Sequence, residues 1–147
     1  YYDYGKLLYD QKKYAEAEEL FLKAVELDPE YDKAWYRLGS AQREQEKLSA
    51  ARDSYNRARS LEPEEVDYQY KYASVLKDLE EYPAAVEAFR AVLQLDPIHE
   101  KALYKLASCL ESAGRTAEAR DAYKTAAEKI EQRQDLKQRA SQKAQEL

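Results

Sequence analysis

The chain has 147 residues, of which 44% are hydrophobic and 36% are charged, and its net charge is −5. This balance is typical of a folded protein rather than a disordered one. The acidic excess argues against a binder of nucleic acid, because the phosphate backbone requires a basic face. No apolar run approaches the roughly 20 residues that cross a bilayer, so we expect no direct membrane insertion.

The whole chain is predicted to form long helices, because only three glycines and four prolines occur in it. Pro29, Pro63 and Pro97 are spaced by 34 residues, and each follows a leucine and an acidic residue. A fixed period of this length indicates an array of helix–turn–helix units. In chain order, the helix pairs are predicted at 1–11 and 14–27, 32–45 and 48–61, 66–79 and 82–95, and 100–113 and 116–130.

Alignment on this period places similar side chains in the same column of each repeat. Two helices approach closely only where side chains are small, so we expect the glycine and alanine column to face the all-alanine column. The aromatic column supplies buried area, and a large apolar column fills the space between neighbouring pairs. The columns are small at Gly5, Gly39, Ala73 and Ala107, alanine at Ala17, Ala51, Ala85 and Ala119, aromatic at Phe21, Tyr55, Phe89 and Tyr123, and large at Tyr4, Leu38, Tyr72 and Leu106.

The repeats are predicted at about 1–31, 32–65, 66–99 and 100–131, and residues 132–147 after them have a different pattern. We interpret this last segment as a capping helix that shields the final open face of the array. The alternative is an uninterrupted extension of the fourth repeat, because the segment contains neither glycine nor proline. Its thin apolar stripe consists of Ile130, Leu136, Ala140, Ala144 and Leu147.

The beginning of the chain suggests that it is part of a longer protein. Tyr1 already occupies the column of Trp35, so the first repeat starts late. The sequence also contains no methionine. We therefore expect further sequence upstream, and the chain alone assigns no cellular compartment.

The second repeat combines a tryptophan, small residues, an aromatic residue and a proline at Trp35, Leu38, Gly39, Ala51, Tyr55, Ala58 and Pro63. This set resembles the tetratricopeptide pattern almost column for column, and the resemblance extends over roughly residues 1–131. It implies an all-α fold, a right-handed α-α superhelix in which each helix pair depends on its neighbours. Three departures are Gln42, where an aromatic residue is usual, Gln69, which occupies the Trp35 column, and Glu131, where the fourth repeat should have proline.

Residues that could carry catalysis or bind a metal or cofactor are scarce. His99 is the single histidine and has no sequence partners for a metal site, so we interpret it as a turn or surface residue. Cys109, the single cysteine, lies in the column of Ala41 and Val75 and is interpreted as a packing residue. No phosphate-binding loop or nucleophile elbow occurs. We expect no enzyme activity and no cofactor.

The resemblance also implies a ligand site, because in tetratricopeptide arrays the first helix of each pair lines a concave groove that usually binds the ligand. In this chain those helices carry a ladder of tyrosines, basic residues beside it, and serines one turn onward. Tyrosine offers rigid contact area and basic groups pair with carboxylates, so we predict an extended acidic peptide as the ligand. The predicted groove residues are Tyr36, Arg37, Ser40, Tyr70, Lys71, Ser74, Lys101, Tyr104, Lys105 and Ser108.

A standard carboxylate clamp is not predicted for this groove. Chaperone-binding members of the family hold a terminal carboxylate with lysine, arginine and asparagine side chains, and the asparagines are missing here in both possible registers. Acidic residues near the far end of the groove also dilute its charge. They are Asp10, Glu44, Asp78 and Glu111.

The sequence thus predicts a protein-interaction scaffold or adaptor domain whose partner is a protein or peptide with acidic segments. Two alternatives remain at this point. The array could be a structural module that self-associates weakly, through Tyr1, Tyr2 and Tyr4 at its start or through its C-terminal helix. It could also be the regulatory or substrate-recruiting domain of a larger enzyme.

Overall fold

The computed structural model describes residues 1–146, and over that range the chain forms eight α-helices and no strand. All predicted helix bounds agree with the structure to within one residue, except for the end of the last helix. The all-α architecture is therefore confirmed. The helices are α1 (Tyr2–Asp10), α2 (Tyr14–Leu27), α3 (Asp32–Glu44), α4 (Leu48–Leu61), α5 (Val66–Asp78), α6 (Tyr82–Leu95), α7 (Glu100–Ser112) and α8 (Thr116–Glu146).

The prediction of a separate capping helix at 132–147 is wrong for the described residues. Helix α8 runs without a break from Thr116 to Glu146, and Leu147 lies outside the described residues. The physical reason is that no glycine or proline occurs after Gly114, so nothing in the sequence ends the helix. The structure shows the alternative, a continuous extension of the fourth repeat.

The extension of α8 leaves Leu136, Ala140 and Ala144 of its apolar stripe uncovered. Arg133 of α8 still contacts the turn before α7, with its Nη1 donating to the carbonyl oxygen of Ile98 at 3.2 Å. Beyond Arg133 every side chain up to residue 146 is exposed, including Leu136 at 58%. A segment exposed on all sides does not shield the final face of the fourth repeat.

The three-residue turns within the repeats share one geometry. Each contains a residue with left-handed backbone, and the next amide closes the helix by bonding five residues back, as Lys13 N does to Leu8 O at 2.9 Å. Three of the four left-handed positions hold a residue with a side chain, although glycine adopts this conformation without steric cost. The positions and φ angles are Lys12 at 63°, Glu46 at 61°, Glu80 at 61° and Gly114 at 79°.

The Trp35 column makes the same hydrogen bond with two different side chains. Trp35 Nε1 donates to the carbonyl oxygen of Pro29 at 2.8 Å, and Gln69 Nε2 donates to that of Pro63 at 2.9 Å. Both bonds tie the start of a helix to the proline turn before it. Gln69 therefore replaces the tryptophan without loss of this contact.

The helices form two compact units, unit 1 from Tyr1 to Glu81 and unit 2 from Tyr82 onward. In unit 1, a Cβ added to Gly5 would lie 2.7 Å from the Phe21 ring, and one added to Gly39 would lie 2.8 Å from the Tyr55 ring. The nearest neighbours of these glycines are thus aromatic rings, not the alanines that we expected. The first helix lacks side chains there because the large rings of the second helix need the space.

A polar cluster joins the first two repeats of unit 1. Gln42 is only 6% exposed; its Oε1 accepts a hydrogen bond from Ser54 Oγ at 2.6 Å, and its Nε2 donates to Glu18 at 3.3 Å. Gln45 and Lys47 also donate to Glu18, at 3.0 and 2.8 Å. Buried polar groups require partners, so this cluster explains how a glutamine occupies a position where aromatic residues are usual.

Unit 2 contains α6, α7 and α8. His99 caps the start of α7, with Nδ1 accepting a hydrogen bond from the amide of Ala102 at 3.1 Å. Cys109 is fully buried, as expected for a packing residue. On the surface, Glu118 pairs with Arg115 at 2.7 Å and with Arg90 at 3.3 Å, which links the start of α8 to α6.

Candidate functional site

Unit 1 has an open pocket of about 390 Å³ on the side where its first helices meet. Helices α1, α3 and α5 each contribute side chains, and α1 contacts α3 directly. Two of the predicted groove residues, Ser40 and Lys71, lie in its wall. We refer to it as the first-helix pocket, and it is lined by Tyr9, Ser40, Arg43, Glu44, Glu46, Tyr55 and Lys71.

Hydrogen bonds of hydroxyl groups fix the side chains at the floor of the first-helix pocket. Ser40 Oγ lies 3.0 Å from Tyr55 Oη and 3.2 Å from the carbonyl oxygen of Tyr36. Burial raises the pKa of Tyr55 well above its usual range, although the hydrogen bond with Ser40 opposes the shift. Burial and then the charge of Glu44 also raise the pKa of Tyr9. Both phenols therefore stay neutral and retain a proton to donate.

Both signs of charge surround the pocket. Arg43 is engaged in an ion pair with Asp78 at 2.9 Å. Glu44 is exposed on the rim, whereas Lys71 is half-buried in the wall. Burial raises the pKa of both Tyr9 and Tyr36, and the positive charge of Arg37 partly opposes this rise. Arg37 is itself half-buried.

The predicted tyrosine ladder is partly structural. The Tyr36 ring lies 5.0 Å from the Tyr68 ring and 5.8 Å from the Tyr55 ring, measured between centroids. Tyr68 Oη donates to Asp32 at 2.6 Å, which joins the second repeat to α5. Tyr70, the next ladder residue, is half-buried. Only part of each of these ladder rings is therefore accessible to a ligand.

One predicted groove residue must be removed from the set. Ser74 is only 1% exposed, so its side chain cannot contact a ligand. The exposure of the serine column changes from repeat to repeat. Ser40 faces the first-helix pocket, whereas the equivalent position on α5 is enclosed. A serine at a predicted surface position does not by itself reveal this difference.

In unit 2, the predicted residues lie on α7. Lys101 is exposed and Tyr104 is 48% exposed, while Lys105 and Ser108 are half-buried. The Tyr123 hydroxyl donates to Glu111 at 2.9 Å, which raises the pKa of Tyr123, and Ser108 beside it partly opposes the rise. The serine column thus helps to position the aromatic residue in the second repeat, and its fourth member lies next to the equivalent tyrosine.

Five lining residues were not in the predicted set, namely Tyr9, Arg43, Glu44, Glu46 and Tyr55. Tyr9 and Arg43 occupy one column, three residues after the serine column and so on the same helical face. That spacing was sufficient to include them. Tyr55 was assigned to the core, and its ring is buried, but its hydroxyl group reaches the pocket.

Residues 1–146 offer neither a membrane span nor a metal site. None of the helices in that range combines the length and apolar character that a membrane span requires. The same residues contain no group of three or more histidine, cysteine, aspartate or glutamate side chains arranged to hold a metal ion.

Comparison with known proteins identifies the family. The family model described as tetratricopeptide repeat matches residues 2–66 and 70–134. The chain belongs to the tetratricopeptide repeat family. A search of curated protein sequences gives no significant match. As a member of this family, the chain is a protein-interaction scaffold.

Solved structures agree with this assignment. A crystal structure of MamA superposes with a TM-score of 0.85 at 30% sequence identity, over 91% of this chain and 78% of that one. A crystal structure of YrrB, described as a tetratricopeptide protein with an unusual peptide-binding site, superposes with a TM-score of 0.78 at 24% identity, over 87% of this chain and 66% of that one. At this identity the likeness to YrrB shows the fold alone.

Proposed function

We propose that the first-helix pocket binds an extended segment of a partner protein that carries acidic side chains. The observation that carries the proposal is the pocket itself, into which α1, α3 and α5 all place polar side chains. Ser40 and Lys71 come from the predicted groove set, and Tyr9 adds a third polar group. A peptide laid across these helices would meet hydrogen-bonding groups from each of them.

The preference for acidic segments is inferred from the charges around the pocket. Arg43 and Asp78 pair at 2.9 Å and largely offset each other. Lys71 lies in the wall, and Arg37 acts electrostatically on the adjacent tyrosines. Glu44 and Glu46 oppose them from exposed positions, where salt and water screen their charges. A ligand carboxylate near Lys71 would gain a charge-assisted hydrogen bond.

Helix α7 of unit 2 offers a second set of contact residues of the same chemistry. Tyr104 and Lys105 repeat the tyrosine and basic pair, and Lys101 lies one turn before them. Tyr104 and Lys101 are exposed. We propose that this surface contacts the same class of acidic segment.

The description of YrrB supports the general part of this proposal, since that protein shares the fold and has a peptide-binding site. It does not bear on the charge of the ligand. The acidic preference therefore depends on the side chains of this chain alone, and the experiment must address those side chains directly.

The test begins with selection from a random displayed peptide library on the purified chain, and calorimetric titration of one selected peptide comes next. We expect enrichment of aspartate and glutamate, and we expect Lys71→Glu or Arg37→Glu to weaken binding about tenfold or more. Arg57→Glu is the matched control, because it makes the same charge change at an exposed position on α4. Circular dichroism must show that all variants are folded.

Two results would contradict the proposal. Selected peptides without acidic enrichment would remove the charge preference. Equal loss of affinity in Arg57→Glu and Lys71→Glu would mean that net charge, and not the first-helix pocket, controls binding.

A further inference from the structure

The last aromatic residue of the array differs sharply from its equivalents. Phe21, Tyr55 and Phe89 are at most 1% exposed, whereas Tyr123 is 37% exposed. Its hydroxyl donates a hydrogen bond to Glu111 at 2.9 Å. The part of Tyr123 that is accessible to a partner is therefore its ring, together with the surface beside the ring. A shallow pocket of about 290 Å³ lies there, lined by Glu111, Thr116, Ala119, Arg120 and Tyr123.

A nearly identical local sequence occurs on α4, where the equivalent surface is covered by another helix. Residues 51–55 read Ala-Arg-Asp-Ser-Tyr on α4, and residues 119–123 read Ala-Arg-Asp-Ala-Tyr on α8. In the first case helix α5 packs on the surface, and Val75 joins Ala51 and Tyr55 in one buried cluster. The structure therefore contains an example of the apolar contacts that fit this surface. One charge differs, because Arg43, which pairs with Asp78 of α5, is replaced by Glu111 in the fourth repeat.

The side chains of α5 that cover the α4 surface have a simple spacing. Tyr72, Val75 and Leu79 pack against the buried cluster at positions i, i+3 and i+7. Glu81, at i+9, pairs with Arg52 at 2.9 Å. The covering helix thus combines an apolar stripe with one carboxylate just after its end.

The ion pair at this position sets the charge of the covering helix. Glu18 of α2 pairs with Lys47 at 2.8 Å, and Arg52 of α4 pairs with Glu81 at 2.9 Å, in the same two columns but with opposite sign. Arg120 occupies the column of Glu18 and Arg52, and within residues 1–146 it makes no ion pair. The third repeat has the buried Val86 in this column, so only the first two repeats indicate the pairing. By analogy with them, the element that covers α8 carries an acidic residue opposite Arg120.

We propose that the face of α8 formed by Ala119, Arg120 and Tyr123 binds an amphipathic helix of a partner protein. The helix carries large apolar residues at i and i+7, a valine or smaller apolar residue at i+3, and a carboxylate at i+9. This face is separate from the first-helix pocket, so either proposal can fail while the other stands.

A second copy of the chain is a poor match for this face. The element that would dock in a head-to-tail stack is α1, which exposes Tyr4 at 58% and Leu7 at 51% in the required apolar columns. Its residue in the ion-pair column is Lys13. This residue would bring a positive charge to Arg120, and like charges destabilise such a contact.

The experiment uses the chain's own α5 sequence as the probe. The peptide comprises residues 66–82, with an Asp67–Lys71 side-chain lactam to stabilise the helix and Glu80→Gly to allow the left-handed turn. It also carries Asp78→Lys, because Asp78 pairs with Arg43 on α3 and the equivalent residue beside the α8 face is Glu111. Its binding to the intact chain is measured by titration calorimetry and mapped by chemical-shift changes. We expect saturable binding with a dissociation constant on the order of 100 µM and shift changes centred on Tyr123.

A charge exchange separates this face from other surfaces. We expect Arg120→Glu to weaken binding about fivefold or more and a Glu81→Lys peptide to restore binding to that variant. Arg57→Glu, the matched control on α4, should leave the affinity unchanged. Tyr123→Ala should weaken binding about tenfold, since it removes the aromatic contact.

Three outcomes would overturn the proposal. The first is no saturable binding at millimolar peptide. The second is equal binding to the parent chain and to Arg120→Glu. The third is concentration-dependent self-association of the parent, measured by sedimentation, that Arg120→Glu strengthens, because a second copy would then be the occupant.

Discussion

Tyr55 and Tyr123 have nearly the same local sequence and each lies beside a serine of the same column, yet one is 1% exposed and the other 37% exposed. The difference lies in the element that comes after each of them in the chain. Helix α5 packs on α4, whereas α8 continues as a single helix to Glu146. In a repeat array, the contribution of a side chain to stability thus depends on the next helix as well as on its own repeat.

The largest expected effect tests this comparison directly. We expect Tyr55→Ala to lower the free energy of unfolding by about 3–5 kcal/mol, because it leaves a cavity in a closed core. Tyr123→Ala should cost only about 1 kcal/mol, since its ring is already partly hydrated. Urea denaturation monitored by circular dichroism measures both, and equal losses would show that the covering helix does not matter.

The polar cluster around Glu18 provides the next test. Burial acts to raise the pKa of Glu18, but hydrogen bonds from Lys47, Gln45 and Gln42 outweigh it and lower the pKa below its usual value of 4.5. A carboxyl group with a depressed folded-state pKa stabilises the fold above its unfolded pKa, and this stabilisation is lost as pH falls through the folded value. The parent should therefore lose stability on acidification below about pH 4.5.

The variant Glu18→Gln isolates this group. We expect it to be about 1–2 kcal/mol less stable than the parent at pH 7. The gap should narrow as pH falls, because the parent then also loses the carboxylate. Glu26→Gln, at an exposed position on the same helix, is the control. A gap that stays constant with pH would contradict the role assigned to the charge of Glu18.

At the left-handed turn position, the fourth repeat has a glycine, whereas the first three repeats have a residue with a side chain. Gly114→Ala places a side chain at a φ of 79° and should cost about 1 kcal/mol. Glu80→Gly removes such a side chain at 61°, and we expect a gain of up to about 1 kcal/mol, reduced by the greater entropy of glycine in the unfolded chain. Thermal melts of both variants measure the effects. A loss in the glycine variant that matches the loss at Gly114 would contradict the strain argument.

Much of this architecture was predictable from the sequence. The 34-residue spacing located the helices because each of the first three repeats ends in the same proline turn. It also identified the aromatic column as core, which is correct for Phe21, Tyr55 and Phe89 but wrong for the exposed Tyr123. The bond between Gln69 and the Pro63 carbonyl was not predictable, because glutamine shares no shape with the tryptophan that it replaces and reveals its role only through that contact.

The candidate site was less predictable than the fold. Membership of a column assigns a helical face, but it does not assign the exposure of one side chain. Ser40 and Ser74 share a column, yet one lines the first-helix pocket and the other is buried. Charges depend on neighbours in the same way, since Arg43 is offset by Asp78, which lies 35 residues away in sequence.

The smallest expected effect concerns the ion pairs of reversed sign. Glu81→Lys should destabilise unit 1 by about 0.5 kcal/mol, because Arg52 and Glu81 are partly exposed and such pairs are weak. The exchange Arg52→Glu with Glu81→Lys reproduces the arrangement of Glu18 with Lys47 and should recover most of the loss. A double-mutant cycle with both single variants measures the coupling, and Asp53 must be considered because it also contacts Arg52 at 3.3 Å. Strictly additive losses would mean that Arg52 and Glu81 do not interact measurably.

Mapping a bound peptide on the isotope-labelled chain tests most directly whether the first-helix pocket receives an acidic segment. A selected acidic peptide should shift the resonances of Tyr9, Ser40 and Lys71, and these changes should disappear in Lys71→Glu but persist in Arg57→Glu. Shifts confined to α2, α4 or the exposed end of α8, with Lys71→Glu binding as well as the parent, would contradict binding in this pocket.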